Sequence, residues 1–124
     1  MLESLSLEGK SVVITGGGTG LGRAMVRDMA RAGANLVIAG RRTGPIEEAA
    51  TEAISLGVDA TFVATDVTDS SQVANLMKTC LNRFGKIDVL LNNAGAVSDN
   101  VRKPIWEHTD EEWDRIMKVN LTGA

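Results

Sequence analysis

Eight residues, Thr15-Gly16-Gly17-Gly18-Thr19-Gly20-Leu21-Gly22, carry five glycines between the apolar run Val12-Val13-Ile14 and a helical pattern opening at Arg23-Ala24-Met25-Val26. A strand, a glycine turn and a helix start together make a phosphate-holding device. The first amides of a helix have no partner inside it, and the helix dipole favours an anion beside them. Glycines let the backbone turn sharply and approach an oxygen-rich ligand. On this reading Gly16, Gly18, Thr19, Gly20, Leu21 and Gly22 bind a phosphorylated cofactor. The competing reading is a plain Gly-rich connection, which the density of glycines between strand and helix disfavours.

The spacing decides among phosphate ligands. Gly17, four residues and Gly22 come close to a P-loop, but that loop needs a Lys and then a hydroxyl, and Arg23-Ala24 offers no oxygen for a metal. The six-residue dinucleotide fingerprint G-x-G-x-x-G fails in every register. What fits is Thr-Gly-x-x-x-Gly-x-Gly.

Further polar residues follow each later apolar run. Gly40-Arg41-Arg42 stands about 20 residues past the glycine loop, where an NAD site places a carboxylate for the ribose 2′-hydroxyl. No acid is present. Arg41 and Arg42 instead offer guanidiniums suited to a 2′-phosphate, against the alternative that they are solvated strand-end residues. Asp66-Val67 follows the third run, where Asp is also a common turn residue. Asn92-Asn93-Ala94-Gly95 follows the fourth. Its small residues let the backbone pass close to a flat ribose or nicotinamide, and its amides can tie strand ends together.

With the glycine loop, Asp66-Val67, Asn92–Gly95 and Asn120 the chain resembles the short-chain dehydrogenase/reductase family, whose cofactor loop has the form of Thr15–Gly22 and which carries Asn-Asn-Ala-Gly after a later strand. The resemblance extends over essentially the whole chain and about the first half of a typical member. It implies that Asp66 accepts from the adenine amino group with Val67 alongside, and that Asn93, Ala94 and Gly95 belong to the cofactor site. It also implies a catalytic role for Asn120, in Lys118-Val119-Asn120-Leu121-Thr122-Gly123, holding a water in a proton relay. The residue-level alternative for Asn120 is a buried amide pinned to backbone, since Trp113, Ile116, Met117, Asn120 and Leu121 recur at helical spacing.

Family members reduce carbonyls with a Tyr acid, a Lys that lowers its pKa and a Ser, on elements after the one that carries Asn120. This chain has no tyrosine and ends at Ala124. The expectation is therefore the N-terminal part, residues 1–124, of a single-domain enzyme of about twice the length, the chain alone being inactive.

The positioning elements can be read next. Val12–Thr15, Leu36–Ala39, Thr61–Ala64 and Val89–Asn92 are short, mostly continuous apolar runs at βαβ spacing, as in strands covered on both faces of a parallel sheet. Between them, Leu21, Met25, Met29 and Ala32 form one helical stripe ended by Gly33. Ile46, Ala49, Ala50, Ala53 and Ile54 form a second, after Pro45 and ended by Gly57. Val73, Leu76, Met77, Cys80 and Leu81 form a third, with Asp69 as cap, Gln72 as its reciprocal partner and Gly85 as stop. Thr109 and Glu112 fit a capping box for a last helix. The fold class is α/β: a Rossmann-like doubly wound parallel sheet, truncated after the fourth strand and part of the following helix. The unpaired side of the fourth strand and apolar helix faces would then be exposed.

Composition narrows the rest. A chain of 124 residues that is 44% hydrophobic supports one domain with one core. Its net charge of −3, with charges mixed, argues against nucleic-acid binding. The start, Met1-Leu2-Glu3-Ser4-Leu5, lacks the basic opening and apolar core of a secretion signal, and no apolar run is long enough to cross a membrane. The lone Cys80, read as a small core residue, suits a reducing cytoplasm. His108 has no second His or thiol at ligand spacing, so no metal is expected. Trp106 and Trp113 read as packing residues, and Glu47-Glu48 and Glu111-Glu112 as solvated faces.

The cofactor implied is NADP, with NAD as the alternative. The substrate is a small carbonyl or alcohol compound, and the general run from Lys86-Ile87-Asp88 to Asn120 resembles 3-oxoacyl-carrier-protein reductases. The family forms dimers or tetramers, so a homo-oligomeric parent enzyme is implied. A non-catalytic NADP(H)-binding module or sensor is the contrasting reading. A SAM-dependent methyltransferase is disfavoured because no acid follows the second strand.

Overall fold

A computed structural model describes residues 5–98 and 102–124; the reading of the N-terminus at Met1–Ser4 lies outside the described residues. The strands are β1 (Ser11–Thr15), β2 (Asn35–Gly40), β3 (Ala60–Ala64) and β4 (Val89–Leu91), and they alternate with the helices α1 (Gly20–Arg31), α2 (Thr43–Ser55) and α3 (Ser70–Phe84). A fourth helix, α4 (Asp110–Met117), follows a short 3-10 turn at Ile105–Glu107 and leads into a wide π-turn at Lys118–Thr122. The sheet is parallel throughout, in the order β3-β2-β1-β4. This is the expected doubly wound architecture.

Side chains alternate across a strand, so each central strand feeds two cores. Val12, Ile14, Leu36 and Ile38 point to the face covered by α1 and α2, where they meet Val26, Ala30, Ile46 and the α2 alanines. Val13, Val37 and Ala39 point to the other face and meet Leu76 and Cys80 of α3. The one domain therefore has a cluster on each side of the sheet. Continuous apolar runs do mark strands buried on both faces for β1 and for the middle of β2. They do not for β3 and β4, which are partly exposed because each lies at an edge with one neighbour. Asp88 pins β4 to the start of β1: its Oδ2 accepts from Ser11 N at 2.8 Å, and its own N–H donates to Ser11 O at 2.9 Å.

The stripe of α1 comes out rotated, while those of α2 and α3 keep most of their predicted residues inward. Leu21 is 72% exposed, and the buried row of α1 is Gly22, Val26 and Ala30. The cause is local. A Cβ on Gly22 would stand 2.0 Å from Gly16 O, so this residue has to face the glycine loop. The rows four residues apart then follow it inward, and Leu21 turns out. Ile54 and Leu81 are likewise exposed, each one position beyond the inward row of its helix. Gly33, Gly57 and Gly85 follow their helices at positive φ, as expected of helix stops.

Both predicted capping boxes are only half formed. Asp69 accepts from Ser71 N and Gln72 N, but Gln72 Oε1 accepts from Asp66 N at 2.8 Å instead of from the cap residue. Thr109 Oγ1 accepts from Glu112 N at 3.1 Å, while the Glu112 carboxylate is engaged elsewhere. Trp106 and Trp113, expected as packing residues, are 81% and 62% exposed. Their apolar faces are uncovered because neither the 3-10 turn that carries Trp106 nor α4, which carries Trp113, joins a core cluster among the described residues. No helix among the described residues is long and apolar enough to cross a membrane.

Candidate functional site

An open cleft lies across the carboxyl ends of all four strands. Parallel topology places the chain's turns there, at the point where the strand order reverses between β1 and β4. Thr15, Gly16, Gly18 and Thr19 line it from β1, Arg41 and Arg42 from β2, Asp66 and Val67 from β3, and Ala94 and Gly95 from β4. Four motifs up to 80 residues apart in sequence thus share one surface.

The glycine loop is held by close packing and by hydrogen bonds to neighbouring strand ends. Gly16, at φ +66°, turns the chain out of β1, and a Cβ there would press on Asn93 Nδ2 at 2.9 Å and Ala94 Cα at 3.0 Å. Gly17 N donates to Ala39 O at 3.1 Å, tying the loop to β2. Asn93 Nδ2 donates to Thr15 O at 3.2 Å and Gly16 O at 3.1 Å. The Thr15 hydroxyl accepts from Asn93 N at 3.1 Å and Ala94 N at 3.0 Å. Thr15 is 4% exposed, so these bonds form in a dry setting, where losing one is costly. It belongs with the site although sequence reasoning gave it no role. The signal was its place as the Thr of the Thr-Gly-x-x-x-Gly-x-Gly pattern.

Two helix starts face the cleft without caps. Thr19 precedes α1 and Arg42 precedes α2; neither makes a side-chain cap bond, and neither helix has an acid in its first turn. By contrast α3 and α4 are capped by Asp69 and Thr109. Uncapped amides beside the cleft, with the dipole's positive end, favour an anion. Arg41 and Arg42 are exposed and form no ion pair within the described residues. The Asp66 carboxyl is held below its ordinary range by bonds from the Thr68 hydroxyl and amide, with the Arg41 charge adding to them. Those bonds, at 2.7 and 2.9 Å, use Oδ1, so Asp66 does form the turn while lining the cleft.

Not every candidate residue lines the cleft. Gly20 and Leu21 are exposed in the first turn of α1, Gly22 is buried under the loop, and Asn93 braces the wall from behind. Asn120 sits in the π-turn closed by Gly123 N→Lys118 O at 2.8 Å. It is exposed rather than buried on an apolar stripe, because that stripe is itself uncovered, with Trp113 and Leu121 exposed beside it. Both ends of its amide are nonetheless paired with Ala96: Oδ1 accepts from Ala96 N at 2.6 Å and Nδ2 donates to Ala96 O at 2.8 Å. Its neighbour Val119 reaches the cleft, which no spacing argument indicated.

Glu112 corrects the reading of a solvated face. Its side chain is 12% exposed and gathers Ser98 Oγ, His108 Nδ1 at 2.8 Å and Lys103 Nζ at 3.5 Å. The Ser98 hydroxyl bond and the His108 contact bring its pKa down to about 2. His108 Nε2 meets Lys103 O at 3.2 Å, so the imidazole is a structural link in this loop. The Cys80 thiol is buried and pushed up by that burial, with the Asp88 charge adding to it.

Residues 10–124 match the sequence profile of the short chain dehydrogenases. An uncharacterized oxidoreductase of Thermotoga maritima is 43% identical over 121 residues, covering 94% of this chain and 44% of that protein. Among solved structures, a short-chain type dehydrogenase/reductase from Mycobacterium marinum superposes with a TM-score of 0.91 at 33% identity, covering 98% of this chain and 48% of that one. A 3-ketoacyl-(acyl-carrier-protein) reductase from Brucella melitensis, complexed with NADH, gives 0.87 at 37% identity, covering 95% and 46%. The chain therefore spans less than half the length of each of these relatives.

Proposed function

The chain belongs to the short-chain dehydrogenase family, and on that premise we propose that it forms the dinucleotide-binding part of an NADP-linked oxidoreductase. The observation that carries the reading is the cleft itself: two uncapped helix starts and two guanidiniums with no ion pair among the described residues, along one line of strand ends. The residues fit the group. A Cβ would fill the loop at Gly16 and Gly22, and the flat wall at Ala94-Gly95 has no bulky side chain. Amides at the start of α1 would take the pyrophosphate, Arg41 and Arg42 the 2′-phosphate, and Asp66 with Val67 the adenine. Ala94 and Gly95 would take the nicotinamide half, braced by Asn93. When bound, the cofactor supplies a hydride-transferring nicotinamide ring.

These residues hold and orient; they do not transfer the proton. The 124 residues include no tyrosine, so in this reading carbonyl reduction draws on a Ser and a Tyr-x-x-x-Lys segment outside them, with Asn120 contributing to the relay. We assign the parent enzyme a small carbonyl or alcohol substrate, a cytoplasmic location and a homo-oligomeric state. The Brucella melitensis likeness makes 3-oxoacyl thioesters the first substrates to try.

Calorimetric titration with NADPH and NADH tests the reading. Tighter binding of NADPH, lost in Arg41→Ala by about tenfold or more while NADH is unaffected, supports it. Equal or tighter binding of NADH rejects the NADP assignment, and binding of neither rejects the cofactor site. The contrasting reading is a binding module without catalysis. Coding DNA that continues past Ala124 into Tyr-x-x-x-Lys supports the enzyme, and a stop codon there supports the module.

A further inference from the structure

β4 ends at Leu91, and from Asn92 to Ser98 the described chain has no strand partner. Its position is set by side chains. On the β1 side, Asn93 and Ala94 are fastened to Thr15 and Gly16. On the other side, three successive residues are fastened to the last helical segment. Ala96 is held at both backbone groups by Asn120 at 2.6 and 2.8 Å, and Val97 O accepts from Arg115 Nη2 at 3.1 Å. The Ser98 hydroxyl donates to Glu112 Oε1. Residues 96, 97 and 98 thus meet 120, 115 and 112, a strip running antiparallel to α4. Of the two cleft-lining residues, Ala94 is held at its amide by Thr15 and Gly95 is suspended between these anchors.

We propose that Arg115 and Glu112 are positioning residues for the nicotinamide half of the cofactor, acting through Val97 and Ser98 on the wall at Ala94-Gly95. The inference rests on the cofactor reading above and deepens it. The order of strand ends orients the ligand. Arg41 and Arg42 mark β2 as the adenosine side, the glycine loop at β1 takes the pyrophosphate, and β4 on the far side of β1 is left for the other nucleoside. Displacing the 94–95 wall therefore acts on one half of the ligand only. Glu112 adds stiffness to its rung because it also holds Lys103 and His108 from the returning loop.

The test compares two ligands by calorimetry on the whole chain: NADPH, and adenosine 2′,5′-bisphosphate, which carries the adenosine end alone. Arg115→Met removes the donor to Val97 and keeps the apolar stem. It is expected to weaken NADPH about tenfold, the scale of one lost charge-assisted hydrogen bond, with the bisphosphate unchanged. Arg115→Lys, which retains a donor, should recover most of that loss, and Ser98→Ala should show the same ligand selectivity more weakly. Equal weakening of both ligands, or no weakening of either, overturns the positioning role. A wild-type chain that binds neither overturns the cofactor reading and this inference together; one that binds both tightly while Arg115→Met matches it overturns this inference alone.

Discussion

Gly22→Ala is the sharpest single perturbation of the site. The new methyl carbon would lie 2.0 Å from Gly16 O and 2.5 Å from Asn93 Nδ2. Real Cβ atoms keep at least 3.0 Å from such neighbours, so the loop or the helix must shift by about 1 Å (3.0 minus 2.0). The atom in the way is backbone, so no side chain can rotate aside. Overpacking of this kind costs about 1–3 kcal/mol. The shift also breaks the Asn93 Nδ2 bond to Gly16 O, worth about 1 kcal/mol more. The expected total is about 2–4 kcal/mol, a fall in melting midpoint of roughly 8–16 °C for a chain of this size. NADPH affinity should drop about tenfold or more through loss of a loop–phosphate bond. The control is Gly44→Ala in α2, where a Cβ meets open space at an ordinary φ. That substitution should stabilise by about 0.5–1 kcal/mol. Differential scanning calorimetry and titration measure both. A Gly22→Ala protein that melts and binds like the wild type refutes the idea that this contact sets the loop.

Other outcomes follow from the same geometry. Thr15→Val keeps the shape but strips two part-buried amides of their acceptor, and should cost about 2–4 kcal/mol in thermal unfolding; Thr15→Ser should retain most of the wild-type stability, and a loss in Thr15→Ser with none in Thr15→Val would show that the methyl matters instead. Glu112, at about 2 when folded against an ordinary 4.5, stabilises the fold above its unfolded pKa and loses that contribution as pH falls from 4.5 towards 2. Melting curves of wild type and Glu112→Gln should therefore converge across that window, and a gap that stays constant down to its lower end would contradict the assignment. The buried Cys80 thiol, its pKa raised, should resist an aromatic disulfide reagent at about pH 8 in the native protein and react after denaturation. Prompt labelling of the native chain would count against its place in the core.

The architecture was legible because it is written in local patterns. Apolar runs at regular spacing, glycines where helices stop, and Asp69 and Thr109 as caps are each properties of a few neighbouring residues. The glycine loop and Asn92–Gly95 were legible for the same reason, since each motif sits at a strand end that parallel topology must bring to one side. Periodicity, however, gives a helix its stripe without its rotation. Leu21 or Gly22 could have faced inward, and only the contact with Gly16 O decided between them.

What tertiary structure decided is what depends on partners far along the chain. Thr15 closes the site because Asn93 and Ala94 arrive 78 and 79 residues later. Glu112 is drawn from solvent by Ser98, His108 and Lys103, and Asn120 finds Ala96 across 24 residues through a π-turn that no spacing rule predicts. Sequence alone determined which elements form and which of their ends carry polar chemistry, because propensity and patterning act over a turn or a strand. Which hydroxyl, carboxylate or amide meets which backbone group was settled by packing, because those distances exist only once the sheet has brought the four strand ends together.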